Sequence, residues 1–177
     1  SQDLNFNVML SQRGQLNLGH SDANMTVLSK RGNTMRANGI DADILTREEV
    51  QKIAPYFDYT PSARFPIYGA LWQDRAGVAR HDAVAWGYAR GADSYGVDLI
   101  QNCEVLGFVK EGERIVGVET TRGRIGAKKV GTTVAGHTGH LAEKAGLKLP
   151  IETHVLQAFV SEPLKPMVDI VVSCGAM

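Results

Sequence analysis

The strongest constraint on this chain is a motif that it does not contain. A doubly wound sheet that cradles a dinucleotide pyrophosphate needs a glycine-rich turn between its first strand and helix. No G-x-G-x-x-G occurs anywhere in the 177 residues, so that βαβ unit is not encoded here. Instead the middle of the chain carries Ala79-Arg80-His81-Asp82-Ala83-Val84-Ala85-Trp86-Gly87-Tyr88-Ala89-Arg90. A strand pattern, a hairpin pattern and Val130-Gly131-Thr132-Thr133-Val134-Ala135-Gly136 follow it. Helix, β-meander and a strand closing on Ala-Gly, in that order, predict a mixed α/β chain that is the inner portion of a larger protein.

The balance of charge narrows the partners. Nineteen Lys and Arg offset nineteen Asp and Glu, and the basic residues are scattered rather than clustered. This argues against nucleic acid or an anionic membrane surface as the main partner. No apolar run approaches the roughly 20 residues of a membrane-spanning helix. The opening Ser1-Gln2-Asp3 lacks the charged and apolar regions of a signal peptide, so the expected location is the cytoplasm. Cys103 and Cys174 stand far apart without a C-x-x-C, which predicts two buried, reduced thiols. Five scattered histidines and no cysteine pair predict no structural zinc site.

Local signals place the elements. Residues 6–10 and 15–20 alternate around Ser11-Gln12-Arg13-Gly14, which reads as an antiparallel pair. Ser21 is a suitable N-cap for a helix over residues 22–38, with Gly39 just past its end and Met25, Leu28 and Met35 along its inner face. Ile44-Leu45 is a short strand. Thr46-Arg47-Glu48-Glu49 forms a capping box for a helix that ends before Pro55. Residues 67–73 read as a strand. A helix starts at His81 or Asp82 and closes at Gly96, its apolar side carried by Val84, Ala85, Tyr88, Ala89, Ala92 and Tyr95. Residues 97–100 read as a buried strand, and residues 104–110 and 115–121 as a hairpin around Glu111-Gly112-Glu113. A third strand near Arg124-Ile125, a strand over 129–134 and a short helix over 138–145 come next. Residues 151–160 and 168–172 are again strand-like. Strands alternating with helices favour an α/β layer, and the extra antiparallel pairs favour an attached sheet.

Several residues carry two readings each. A strand ending in Ala135-Gly136 before a helix lets backbone amides approach a phosphate or sugar chain, and it is also what an ordinary strand-to-helix turn looks like. Arg80-His81-Asp82 suits a metal or acid/base site, and equally a helix start with Asp82 favoured by the macrodipole. His137 and His140 frame a glycine-containing turn and lack further zinc ligands. His20 and His154 are isolated.

Read together, the segments resemble the β subunits of heterotetrameric bacterial sarcosine oxidases, a branch of the D-amino-acid oxidase-like flavoproteins. The resemblance rests on residues 5–18 (NFNVMLSQRGQLNL), Ala63-Arg64-Phe65-Pro66-Ile67, residues 79–90 and Gly96-Val97-Asp98-Leu99-Ile100-Gln101. It extends through Leu149-Pro150-Ile151-Glu152-Thr153-His154 to Val160-Ser161-Glu162-Pro163. The family implies an FAD-binding α/β layer plus an antiparallel substrate-domain sheet, here without the N-terminal Rossmann βαβ unit. Residues 1–75 would be mainly substrate domain, 76–148 the FAD-binding portion, and 149–177 the start of the returning substrate-domain sheet.

The resemblance further implies oxidation of a small-molecule amine, sarcosine, at noncovalent FAD. Electrons would pass to FMN held covalently by a histidine and then to oxygen, in an assembly with α, γ and δ subunits. Carried over residue by residue, His81 is the expected FMN attachment point, with Asp82 holding the other ring nitrogen. Val105 is the expected backbone contact to adenine, and Ala135 and Gly136 line the FAD ribityl-phosphate region. His137 after that glycine departs from the family's small or aromatic residue. No catalytic acid, base or nucleophile and no metal ligand is assigned within the chain. By itself it is expected to self-associate, to be inactive and to hold FAD weakly, if at all. A related dehydrogenase for dimethylglycine or proline, and a non-catalytic scaffold, are the competing readings.

Overall fold

The computed structural model describes residues 5–175. In chain order the elements begin with β1 (Ser11–Gln12), β2 (Gln15–Gly19), α1 (Asp22–Ala37), β3 (Asp43–Thr46) and α2 (Arg47–Ile53). Next come β4 (Gly69–Gln73), β5 (Gly77–Val78) and α3 (His81–Ser94). A meander of β6 (Val105–Glu111), β7 (Arg114–Thr120) and β8 (Gly123–Gly126) precedes a 3-10 turn, Ala135–His137. Then α4 (Thr138–Lys144) and β9 (Val171–Cys174) complete a mixed α/β chain. It divides into two units, Ser1–Val97 with Pro163–Met177, and Asp98–Glu162.

The first unit is organised by a four-stranded sheet in the order β3-β4-β2-β9. Strand periodicity sends alternate residues to opposite faces. Leu16 opposite Trp72 and Leu18 opposite Ala70 point one way, where Val50 and Ala54 of α2 meet them with Ile67. Asn17 opposite Leu71 and Gly19 opposite Gly69 point the other way, toward α1. There the side chains of Met25 and Leu28 reach Gly19, and Gly32 lies against Leu71 and Ile44. Both faces of the sheet are therefore covered by helices.

The caps follow the sequence signals. The Ser21 side chain accepts from the Asn24 amide, and Thr46 and Glu49 close a reciprocal capping box. Gly39, at φ +74, lets α1 end with the Ile40 amide donating back to the Met35 carbonyl.

The expected pairing of residues 6–10 with 15–20 does not form. Ser11 pairs with Val78 and Gln12 with Gly77, while β2 pairs with β4. Both strands thus find their partner some sixty residues later, in an arm broken at Gly14. The Arg13 and Gly14 amides donate to the Ala76 carbonyl at 3.0 and 2.9 Å. Gly14 has φ +78, and a Cβ there would land inside the Trp72 ring.

Other expectations are corrected too, among them the burial of both thiols: Cys103 is half-buried and Cys174 exposed. Residues 97–100, 129–134 and 151–160 form no strand, because an apolar segment becomes a strand only when a neighbour takes its backbone hydrogen bonds. The last strand begins at Val171 rather than near 168. On α3, Tyr88 and Tyr95 face out and the buried positions are Gly87 and Gly91, with the Phe6 ring seated on Gly87. Side-chain size decided against the tyrosines: the neighbouring chain approaches where helix residues are smallest.

In the second unit, β6, β7 and β8 pair in sequence as antiparallel neighbours. The Lys144 ammonium donates to the Leu106 carbonyl at 3.0 Å, and Lys110 to the Ala145 carbonyl at 2.7 Å. These two lysines tie α4 to β6.

Gly14 and Gly39 give a controlled comparison, since both have positive φ but only Gly14 has a ring against it. Gly39→Ala is expected to destabilise by about 1 kcal/mol, the cost of a left-handed non-glycine residue. Gly14→Ala should cost clearly more, about 3 kcal/mol or above, because Trp72 must also move. Urea unfolding followed by tryptophan fluorescence reads both, and equal losses would contradict the role given to Trp72.

Candidate functional site

Two places in the structure hold the residues singled out from the sequence, one in each unit. The first is the start of α3. The β1–β5 ribbon delivers the chain to Arg80, which is extended and caps the helix without a side-chain cap bond. His81 opens the helix and is exposed. Asp82 is fully engaged: it accepts from Arg80 Nε at 3.1 Å and Nη2 at 2.6 Å, and from the Ala83 amide at 2.9 Å.

That geometry corrects the role expected for Asp82. Its oxygens serve Arg80 and the helix amide rather than a ring nitrogen of His81. The chemical reason is competition, since a guanidinium offers two donors in a fork that matches a carboxylate. The Arg80 hydrogen bonds, then the Ala83 amide, hold the Asp82 carboxyl down at about 2. The imidazole is left exposed at the end of the helix, available to a group approaching from outside.

The second place is in the other unit. Val105, the first residue of β6, shares a cavity of about 390 Å³ with Val134, His137, His140, Leu141 and Lys144. Val105, Val134 and Leu141 make its apolar wall. His137, His140 and Lys144 supply donors at its rim, with Lys144 also committed to Leu106. Between Val134 and His137 the chain makes an irregular turn: Ala135 has φ +45, and the Gly136 carbonyl accepts from Thr153 Oγ1 at 2.8 Å. A Cβ on Gly136 would press on the Thr153 methyl, so the turn is built for a bare Cα.

The apolar wall suits a flat heteroaromatic ring, and its edge carries the two imidazoles, the Lys144 ammonium and the Glu104 carboxylate. The residues present thus fit one end of a flavin dinucleotide. The structure brings Val105 and the Ala135–Gly136 turn to one locality, while His81 belongs to the other unit. Sequence reading left His140 as a turn residue and did not single out Leu141 or Lys144. Their spacing from His137, at three, four and seven residues, is a helical face that pattern alone would have revealed.

Residues 1–174 match the FAD dependent oxidoreductase (DAO) family. Sarcosine oxidase subunit beta of Rhizobium meliloti (strain 1021) is 60% identical over 175 residues, 99% of this chain and 42% of that protein. Its counterpart from an Arthrobacter species is 47% identical over 97% of this chain and 42% of its own length. The chain thus spans about two fifths of the length of these curated relatives. Among solved structures, L-proline dehydrogenase from P. horikoshii superposes with a TM-score of 0.70 at 26% identity, covering 84% of this chain and 38% of that one.

The depressed carboxyl at the start of α3 has a measurable consequence. Because the folded value lies below the ordinary value of about 3.9, the Arg80–Asp82 contact is present above that pH. It is lost as pH falls toward 2. A carbon-detected NMR titration should place the Asp82 midpoint at about 2, and Arg80→Ala should return it most of the way to the ordinary value. A match to this family over residues 1–174 makes the chain a member of the FAD dependent oxidoreductase family.

Proposed function

We propose that this chain is part of the β subunit of a sarcosine-oxidising flavoenzyme. The observation that carries the reading is the 60% identity with a sarcosine oxidase subunit beta, maintained over 99% of this chain. In this reading the bound flavins supply the redox chemistry: sarcosine, oxygen and water yield glycine, formaldehyde and hydrogen peroxide. The residues of this chain hold and orient the flavins. Val105 meets the adenine through its backbone, and Ala135 and Gly136 face the ribityl-phosphate chain of FAD. His81 carries FMN, its exposed imidazole bonded to the 8α carbon of the ring.

The same reading assigns residues 1–75 mainly to the substrate domain, 76–148 to FAD binding and 149–177 to the returning substrate-domain sheet. The assembly has α, γ and δ subunits and works in the cytoplasm, and no helix among the described residues is long and apolar enough to cross a membrane. The likeness to L-proline dehydrogenase supports a second reading, a dehydrogenase of another secondary amine. Peptide-linked FMN separates the two, because only the first requires it.

His81→Ala in the intact assembly should abolish acid-stable peptide-bound flavin while extractable FAD remains. Oxygen-dependent turnover should fall tenfold or more, and flavin reduction by sarcosine much less. Covalent flavin that survives the substitution, seen by mass spectrometry, would move the attachment elsewhere.

The isolated chain exposes Val155, Leu156, Phe159 and Val160 almost completely, in one extended stretch with unpaired backbone. Such a segment seeks a neighbouring strand or apolar surface. The 177-residue chain alone should therefore self-associate. Light scattering across a concentration series should show mass rising above the monomer, and an unchanging monomer would refute it.

A further inference from the structure

The connection from α1 to β3 carries the one Asn-Gly pair of the sequence, Asn38-Gly39, in an exposed turn. Such a pair has a chemistry of its own. A backbone amide nitrogen can attack the side-chain carbon of the asparagine before it, closing a succinimide ring and releasing ammonia. A Cβ on the attacking residue crowds that approach, and glycine has none. Among the described residues nothing lies within 4 Å of the place where a Gly39 Cβ would stand, so no neighbour blocks the approach either. The other six asparagines, among them Asn33 before Thr34 and Asn102 before Cys103, all precede residues that carry a Cβ.

The end of the helix holds this reaction back. Asn38 Nδ2 donates to the Thr34 carbonyl at 2.8 Å, which turns the side chain back along α1. The Gly39 amide donates to the Arg36 carbonyl and the Ile40 amide to the Met35 carbonyl, each at 3.0 Å. With ψ of Asn38 at 16°, the Gly39 nitrogen stands on the side of the Asn38 amide nitrogen and not of its Cβ. The Cα–C bond must therefore rotate before the ring can close, and that rotation undoes the cap. Arg36 braces the same turn. Its guanidinium donates to the Ala42 carbonyl and to Asn33 Oδ1, which ties the last turn of α1 to the segment entering β3.

We propose that Asn38 is a deamidation site gated by the last turn of α1, and that its conversion unfastens that turn. The Gly39 nitrogen bonds Asn38 Cγ, the Cγ–Nδ2 bond breaks, and Nδ2 leaves as ammonia with the amide proton. Water then opens the ring at either carbonyl, giving aspartate or isoaspartate with no oxidation or reduction. An aspartate carboxylate cannot donate to the Thr34 carbonyl, and it adds negative charge at the negative end of the helix dipole. Isoaspartate routes the main chain through the side chain, which inserts a methylene between positions 38 and 39. The Gly39 and Ile40 amides then no longer reach both of their carbonyls.

The test ages the complete assembly at neutral and at mildly alkaline pH and maps its peptides by mass spectrometry. The peptide containing Asn38 should gain the mass of an amide-to-acid exchange and an isoaspartyl isomer. It should do so about tenfold or more faster than the peptides containing Asn33 or Asn102. The rate should rise with pH, because the attacking nitrogen must lose its proton. A synthetic peptide of residues 34–43 should convert about tenfold faster than the assembly, the protection given by the cap. Arg36→Ala should move the assembly toward the rate of the peptide, with an unchanged thermal midpoint as the folding control. Hydrogen exchange over residues 36–42 should rise in step with isoaspartate, while residues 69–73 stay protected. An Asn38 that persists in the assembly while the synthetic peptide converts fully overturns the site. Equal rates in peptide and assembly overturn the gate, and unchanged exchange after conversion overturns the unfastening.

Discussion

The antiparallel pairing of β2 with β4 is the constraint on which the rest of the first unit depends. These strands lie about fifty residues apart in sequence, and their ladder brings Leu16 to Trp72 and Leu18 to Ala70. Once it forms, the sheet has two defined faces. α2 can bury Val50 on one and α1 can bring Met25, Leu28 and Gly32 to the other. The break at Gly14 and Ala76 then lets the arm continue as a separate two-stranded ribbon. That ribbon sets where Arg80 and His81 stand. A packing requirement at Trp72 is therefore connected, through nine residues of backbone, to the position of His81.

Electrostatics at that site follow from geometry in the same way. Arginine and aspartate two residues apart at a helix start can close a fork that histidine cannot match. Asp82 is thereby taken up, and the imidazole keeps both nitrogens for other partners. The second unit uses a different device. There lysines 110 and 144 lock a short helix to a strand through backbone carbonyls, with little apolar burial.

What could be read in the sequence was mainly what is decided locally. Ser21, Thr46 with Glu49, and Gly39 mark helix ends because each cap is made within a few residues, and all three stand where expected. The hairpin around Gly112 and the third strand beside it are similarly local. The pairing of residues 11–19 was not legible, since alternation marks a strand without naming its partner. Residues 97–100, 129–134 and 151–160 have the apolar composition of strands, yet no neighbour among the described residues satisfies their backbone. The helix α3 was misjudged on one side because Tyr88 and Tyr95 look like core residues, while close approach selected Gly87 and Gly91. The cavity beside Val105 was only partly visible: the Ala-Gly turn has a pattern, but the meeting of β6 with α4 is a tertiary contact that the sequence does not mark.

The parallel pairing of β2 with β9 sets a schedule for synthesis. Gln15 and Leu16 emerge among the first residues of this stretch, but their neighbours Val171 and Val172 emerge after the whole second unit. During translation one edge of β2 stands open while more than a hundred residues are added, although the meander can pair from short-range contacts as it appears. The ribosome therefore delivers the second unit as a nearly finished insertion into an unfinished sheet. β9 then closes the edge that β2 had left open.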